Sequence, residues 1–213
     1  MSLPKPYYED AAAGIVIYNS DCRDILPHLP KVDLVLTDPP YGIGHDGQKP
    51  SDGVHGGRKA YEFLGWDGAR PSQYVFDLLL LAGDQHIIWG GNYFADLLPP
   101  QMKWLVWNKE QRISQSDGEL AWTSIGGALR ICDMNRVELQ RDGAEHPTQK
   151  PLRLIKWCIQ LVPDAITILD PFMGSGTTLR AAKDLGRKCI GIEISEAYCE
   201  ISARRLGQEV LPL

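Results

Sequence analysis

Ile166-Thr167-Ile168-Leu169-Asp170-Pro171-Phe172-Met173-Gly174-Ser175-Gly176-Thr177-Thr178 is an apolar run that passes through an acid into a glycine-rich turn. Leu179-Arg180-Ala181-Ala182-Lys183-Asp184-Leu185 follows and is compatible with a helix. Strand, tight turn and helix in that order form the βα unit on which α/β folds build nucleotide sites. Lys188-Cys189-Ile190-Gly191-Ile192-Glu193 predicts a second strand, ending in an acid about 20 residues past the turn, where such folds place a ligand for ribose hydroxyls. Glu193 is the candidate for that role.

Working outward, apolar runs predict strands over 14–18, 32–37, 85–89, 103–107, 166–169 and 188–193. Helix-compatible segments fall near 22–29, 72–82, 92–98, 151–161, 176–186 and 195–206, with Ser195 as a suitable cap for the last. Strands alternating with helices predict an α/β fold with a mainly parallel sheet. At 213 residues, 44% of them hydrophobic, the chain is expected to form a single domain over 1–213.

The turn departs from a dinucleotide site in two ways. Leu179 stands where the third glycine of a G-x-G-x-x-G pattern would fall, and Asp170 places a fixed anion where a pyrophosphate would need none. An acid there suits a ligand with an ammonium group. S-adenosylmethionine has one, together with a carboxylate for the helix N-terminus, a ribose diol for Glu193 and an adenine for apolar walls such as Ile194. A glycine turn that serves packing alone is the alternative.

Val32-Asp33-Leu34-Val35-Leu36-Thr37 leads into Asp38-Pro39-Pro40-Tyr41. The prolines fix their own φ and restrict the residue before each, so the carbonyls of Asp38 and Pro39 point in set directions. A carboxylate, rigid carbonyls and an aromatic ring at a strand end can grip a flat amine. The lone pair of a nucleobase amino group is delocalised into its ring. Two acceptors on its NH2 favour localisation on nitrogen and stabilise the positive charge that grows there during attack on a methyl group. The alternative is that Asp38 caps a turn and Pro39-Pro40 merely ends a strand.

DPPYGIG at 38–44, HPTQKP at 146–151 and DPFMGSGTT at 170–178 occur in that order, and they resemble the permuted, beta-group DNA amino-methyltransferases over nearly the whole chain. Ile87–Phe94 and Glu119–Ser124 further resemble small methylases of phage and prophage origin. The resemblance implies a Rossmann-like methyltransferase fold, S-adenosylmethionine as donor, double-stranded DNA as partner and a target base flipped out of the duplex. It implies a catalytic segment of Asp38, Pro39, Pro40 and Tyr41. Asp170, Phe172, Gly174, Ser175, Gly176 and Glu193 match the donor loop and ribose acid, while His146, Thr148 and Lys150 match a segment that lines the donor pocket. Asp21 matches an acid near the donor's adenine, although Ser20 or Asp21 equally suits a helix N-cap. The implied reaction is methylation of adenine N6, with cytosine N4 as alternative, in a bacterial or phage setting such as restriction-modification. A homodimer is a reasonable arrangement. An RNA or protein-amide methyltransferase, a nicotinamide oxidoreductase and a non-catalytic DNA-binding homologue are the rival readings.

Two long stretches carry little pattern. Residues 42–70 are glycine-rich and are expected to form a flexible flap, with Trp66 and Asp67 near its end. Residues 108–145 occupy the place of a short target-recognition insertion. The formal charge of −5 is not what attraction to phosphate would select for a whole surface, so a local basic groove from residues such as Lys49, Lys109, Arg112, Arg130 and Arg141 is expected instead. Five cysteines without C-x-x-C spacing signal neither a disulfide scaffold nor a metal site, and cytoplasmic residence is the expectation. The N-terminus lacks the apolar core of a signal peptide, and no apolar run is long enough to span a bilayer.

Overall fold

Runs of branched and aromatic residues form the strands because their side chains fill both faces of a pleated surface. The computed structural model describes residues 3–44, 67–110, 116–135 and 149–208. In chain order the strands are β1 (Tyr8–Asp10), β2 (Ile15–Asn19), β3 (Val32–Thr37), β4 (Gly83–Trp89), β5 (Trp104–Asn108), β6 (Gly118–Thr123), β7 (Arg130–Asp133), β8 (Thr167–Asp170) and β9 (Lys188–Glu193). The helices are α1 (Cys22–Ile25), α2 (Gln73–Ala82), α3 (Leu152–Gln160), α4 (Thr177–Asp184) and α5 (Glu196–Gly207).

Among the described residues the strands form one sheet in the order β1-β2-β9-β8-β3-β4-β6-β5-β7. The centre, from β2 through β9, β8 and β3 to β4, is parallel throughout. Strands so placed are buried on both faces and read as continuous apolar runs, as Leu34, Val35, Leu36, Ile87, Ile88 and Trp89 do here. Alternate residues of the sheet face two cores. Ile15, Leu34, Ile87 and Leu105 pack with α3, α4 and α5 on one side, while Val35, Ile88, Trp122 and Leu169 pack with α1 and α2 on the other. No described helix is long and apolar enough to cross a membrane.

Chain order and sheet order differ most at the centre, where the early β3 lies between the late β8 and β4. Asp33 ties this junction. Its Oδ2 accepts from the backbone N–H of Thr167 at 2.7 Å and of Ile166 at 2.9 Å, and its own N–H donates to Thr167 Oγ1 at 3.0 Å. These bonds hold the carboxylate's pKa below its ordinary value, Thr167's backbone contributing most. They also fix the register that brings the ends of β3 and β8 side by side.

Several elements depart from the sequence reading. The helix expected over 22–29 is α1 followed by a 3-10 turn, Leu26–His28, because Pro27 lacks the N–H that would continue α1. The segment 92–98 is a short 3-10 helix, Gly91–Tyr93, and turns, entered through Gly90 at φ +71° and followed by Pro99-Pro100. Strands β1, β6 and β7 carry too many polar or exposed residues to stand out as apolar runs. Two of them lie within 108–145, so the described part of that stretch continues the sheet. Ser195 occupies the N-cap position of α5, but its side chain makes no capping bond.

Candidate active site

Where β3 ends, Asp38 is held from two directions. Tyr41 donates its hydroxyl to Asp38 Oδ1 at 2.5 Å, and Lys150 places Nζ 2.6 Å from Oδ2. Tyr41 stacks on Tyr93, ring centroids 4.7 Å apart and planes 15° from parallel, and meets Phe94 edge-on. Gly90 makes this stacking possible, since a Cβ there would lie 2.1 Å from Tyr41 Cε1. Pro39 is buried and Pro40 half-buried. Burial pushes the Asp38 carboxyl above its ordinary pKa, opposed by Lys150; burial likewise raises the Tyr41 hydroxyl well above its own.

Lys150 is 6% exposed and also contacts Glu119 Oε2 at 2.9 Å, while Lys109 reaches Glu119 Oε1 at 2.6 Å. Asp38, Lys150, Glu119 and Lys109 thus form a chain of alternating charge from the end of β3 to β6 and the residue after β5. Burial disfavours the charged form of Glu119, yet Lys150 and Lys109 together hold its pKa at about 2. Burial also disfavours the Lys150 ammonium, and the two acids more than offset it, so its pKa is raised well above the ordinary value.

At the end of β8, Asp170 is 4% exposed. Its Oδ1 accepts from Thr37 Oγ1 at 2.8 Å and from the Phe172 N–H at 3.2 Å. The first bond joins the two strand ends directly. Burial raises the Asp170 carboxyl to about 6 against the pull of Thr178, Thr37 and the Phe172 N–H. The glycine turn that follows is shaped by backbone: Gly174 has φ +48°, and Gly176, at φ +78°, is the N-cap of α4. Glu193, at the end of β9, accepts from the Gly174 N–H at 3.0 Å and the Ser195 N–H at 2.9 Å, and burial raises its pKa. Ser175 is buried; its hydroxyl donates to Gln149 Oε1 at 3.0 Å and accepts from Arg205 at 3.1 Å.

One cavity of about 620 Å³ runs along these strand ends. Asp38 and Pro40 line it from the early corner. Asp170, Phe172, Gly174, Ser175 and Glu193 line it from the late turn, and Lys150 and Gln149 close the space between. Asp21 lines it as well, although its Oδ1 also caps α1 through the Arg23 N–H at 2.9 Å and its carboxylate pairs with the Arg23 guanidinium. Ile194 contributes an exposed apolar wall. His146, Thr148 and Trp66 lie outside the described residues. Asp67 is buried and accepts from the Gly42 N–H at 2.7 Å, joining the two sides of the expected flap, whose residues 45–66 lie outside the described set.

Lys109, expected in a basic groove, is instead buried against Glu119 and unavailable to a phosphate backbone. The sequence reading assigned no role to Glu119 or Gln149. Their signal is tertiary, for Glu119 meets Lys150 across 31 positions of chain and only the pairing of β6 with β4 and β5 brings it there. Chemically, the arrangement offers an ionisable acceptor at one end of a cavity, with the Tyr41 ring packed behind it, and buried Asp170 and half-buried Glu193 beside a helix N-terminus at the other.

Comparison with known proteins bears on the family and the fold. The N6/N4 methylase family model, described as DNA methylase, matches residues 84–204. The type II methyltransferase M2.MboI of Moraxella bovis is 26% identical over 98% of this chain and 93% of its own length. The DNA adenine methyltransferase YhdJ of Escherichia coli is 45% identical over 78 residues, 36% of this chain and 26% of that protein. The crystal structure of an M1.HpyAVI–SAM complex superposes with a TM-score of 0.58 at 22% identity, covering 91% of this chain and all of the other, a likeness of fold. With over half of its length inside the family model, and that match spanning the glycine-rich turn and Glu193, the chain belongs to the N6/N4 family of DNA methylases.

Proposed function

We propose that this protein transfers a methyl group from S-adenosylmethionine to the N6 amino group of an adenine flipped out of double-stranded DNA. The observation that carries the reading is the shared cavity: the Asp38 corner and the glycine turn are separated by more than 130 residues, yet the Thr37–Asp170 hydrogen bond of 2.8 Å joins their strands at its floor. The preference for adenine rests on the DPPY corner and on similarity to a relative named as an adenine methyltransferase.

The residues present fit the donor. The cavity has room for a molecule of that size, and its donor-side wall holds Glu193 for a ribose diol, Asp170 near an ammonium and the N-terminus of α4 for a carboxylate. Ile194 and Phe172 supply apolar wall for an adenine. When bound, S-adenosylmethionine supplies an electrophilic methyl on a sulfonium.

Each oxygen of Asp38 already accepts one hydrogen bond, and each retains a second lone pair for an incoming NH2. As the amine nitrogen takes the methyl, Asp38 stabilises the positive charge that grows there, and its carboxylate is placed to take the proton shed afterwards. Tyr41 and Tyr93 present an aromatic stack beside the corner for a flat base. Much of the acceleration comes from holding nitrogen, carbon and sulfur in line. The reading is of direct transfer: Cys22 lines the cavity, but burial pushes its pKa up to about 12, so it is not an activated nucleophile.

The test is to incubate purified protein with unmethylated genomic DNA and isotopically labelled donor, then identify labelled nucleosides by mass spectrometry. Label in N6-methyladenine is expected. Label in N4-methylcytosine would replace the target base, and label only in parallel RNA or protein incubations would replace the substrate class. No transfer to any of the three would end the catalytic reading.

A further inference from the structure

We propose that Glu119 and Lys150 are positioning residues that set how strongly Asp38 accepts a hydrogen bond from the target amine, an inference that rests on the amino-methyl transfer assigned above. Lys150 Nζ lies 2.6 Å from Asp38 Oδ2 and 2.9 Å from Glu119 Oε2, so one ammonium is divided between two carboxylates. Lys109, 2.6 Å from Glu119 Oε1, closes the far end of the chain. Both lysines are buried; Asp38 and Lys150 line the cavity, whereas Glu119 and Lys109 lie behind them.

Each link has a distinct consequence for Asp38. Without Lys150, a carboxylate in this surrounding takes up a proton and loses acceptor strength. With Lys150 alone, the pair is close to neutral and its field at the amine nitrogen is weak. Glu119 draws part of the ammonium's charge away, which leaves Asp38 more basic, while Lys150 keeps it ionised. A chain of four charges with both lysines buried and both acids half-buried is a poor way to hold β5 and β6 together, because desolvation offsets most of the attraction. The arrangement makes sense as a device that tunes the carboxylate at its open end.

Titration of the Asp38 carboxyl in the donor-free protein tests this directly, using 13C NMR of protein labelled at aspartate carboxyls and Asp38→Asn for assignment. The groups facing Asp38 are Lys150, Glu119, Tyr41 and Asp170; those facing Lys150 are Asp38, Glu119, Tyr41 and Cys158. Glu119→Gln is expected to move the Asp38 midpoint to lower pH, whereas Lys150→Met and Lys109→Met move it to higher pH. Opposite signs from neighbouring substitutions are not produced by general loosening of the site.

In single-turnover methylation at saturating donor, Glu119→Gln is expected to run about tenfold slower, less than the roughly 10²–10³-fold typical when a group on the reacting atoms is removed. Lys150→Arg, which keeps the charge, is expected to recover much of what Lys150→Met loses, and donor affinity by calorimetry stays near wild type in Glu119→Gln. Midpoints that stay put in all three variants, or move in the same direction, overturn the proposal. Should Glu119→Gln fail to give a cooperative melt, Lys109→Met decides, since Lys109 lies three links from Asp38: a raised midpoint supports the proposal and an unmoved one overturns it. A wild-type protein that methylates no DNA removes the assigned function and leaves the titrations intact, whereas an active wild type with unmoved titrations removes only this inference.

Discussion

The two ends of the cavity are built by different means. At the early corner, Asp38 is fixed by side chains drawn from distant elements: Tyr41 beside it, Tyr93 after β4, Lys150 before α3 and Glu119 on β6. At the late turn, Glu193, Gly174 and Gly176 are fixed by backbone, through N–H groups and positive φ angles within a short stretch of chain. The corner therefore carries adjustable charge, and the turn carries shape. Substitutions at the corner are expected to fall on the rate of transfer, and those at the turn on donor affinity and folding.

The largest expected effect is at the corner. Asp38→Ala removes the acceptor proposed to contact the amine, and turnover should fall by roughly 10²–10³-fold or more. Isothermal calorimetry should show donor affinity near wild type, because the acids and backbone of the turn are untouched. Loss of donor affinity in this variant would merge the two ends and break the comparison.

The second prediction concerns Asp170, the acid that joins the ends. Its carboxyl is raised from 3.8 to about 6, so between these pH values the folded protein keeps a proton that the unfolded chain has lost. The folded state then binds more protons, and stability falls as pH rises through that window, by on the order of 3 kcal/mol, and levels off above it. Glu193 acts with the same sign; Asp10, Asp21 and Asp33, whose pKa values are lowered, act with the opposite sign. The useful quantity is thus the difference between wild type and Asp170→Asn in urea unfolding from pH 4 to 7. The difference should narrow toward low pH, where both forms are neutral, and a difference flat across the range would remove Asp170 as a burial-perturbed acid.

Glu193→Ala comes next. Loss of a half-buried carboxylate proposed to hold the donor's ribose should weaken donor binding about 10–100-fold, the range for a charged hydrogen-bonding group. Transfer at saturating donor should change less than binding does. Unchanged affinity would take Glu193 out of the ribose site.

The same contrast explains what sequence alone could disclose. The turn is local, so strand, acid, glycines and helix stand in order along 166–185, and β3, β8 and β9 read as apolar runs because both faces of each are covered. The corner announced itself only through Asp38–Tyr41. Lys150 is legible through the HPTQKP resemblance, as a residue of the donor pocket and not as a partner of Asp38; half-buried Glu119 looks like a surface residue until the sheet order is known, and β6, with Glu119 second in the strand, lacks a clean period of two. Lys109 was misread as a groove residue for that reason. Strands β1 and β7 lie at the sheet edges, where fewer apolar residues are required, and they were missed.

The smallest expected effect isolates shape from charge at the turn. A Cβ on Gly176 would lie 1.9 Å from Ser202 Oγ and 2.8 Å from Ser202 Cβ, and the residue holds φ +78°. Gly176→Ala alone therefore combines an overlap with a backbone penalty. In a Ser202→Gly background the overlap with that side chain is gone, and the remaining cost should be the about 1–2 kcal/mol of placing a Cβ in the left-handed region. Urea unfolding of the four proteins in this cycle separates the two contributions. If the penalty disappears in the double variant, backbone geometry does not define the turn, and the late end would depend on side-chain contacts as the early corner does.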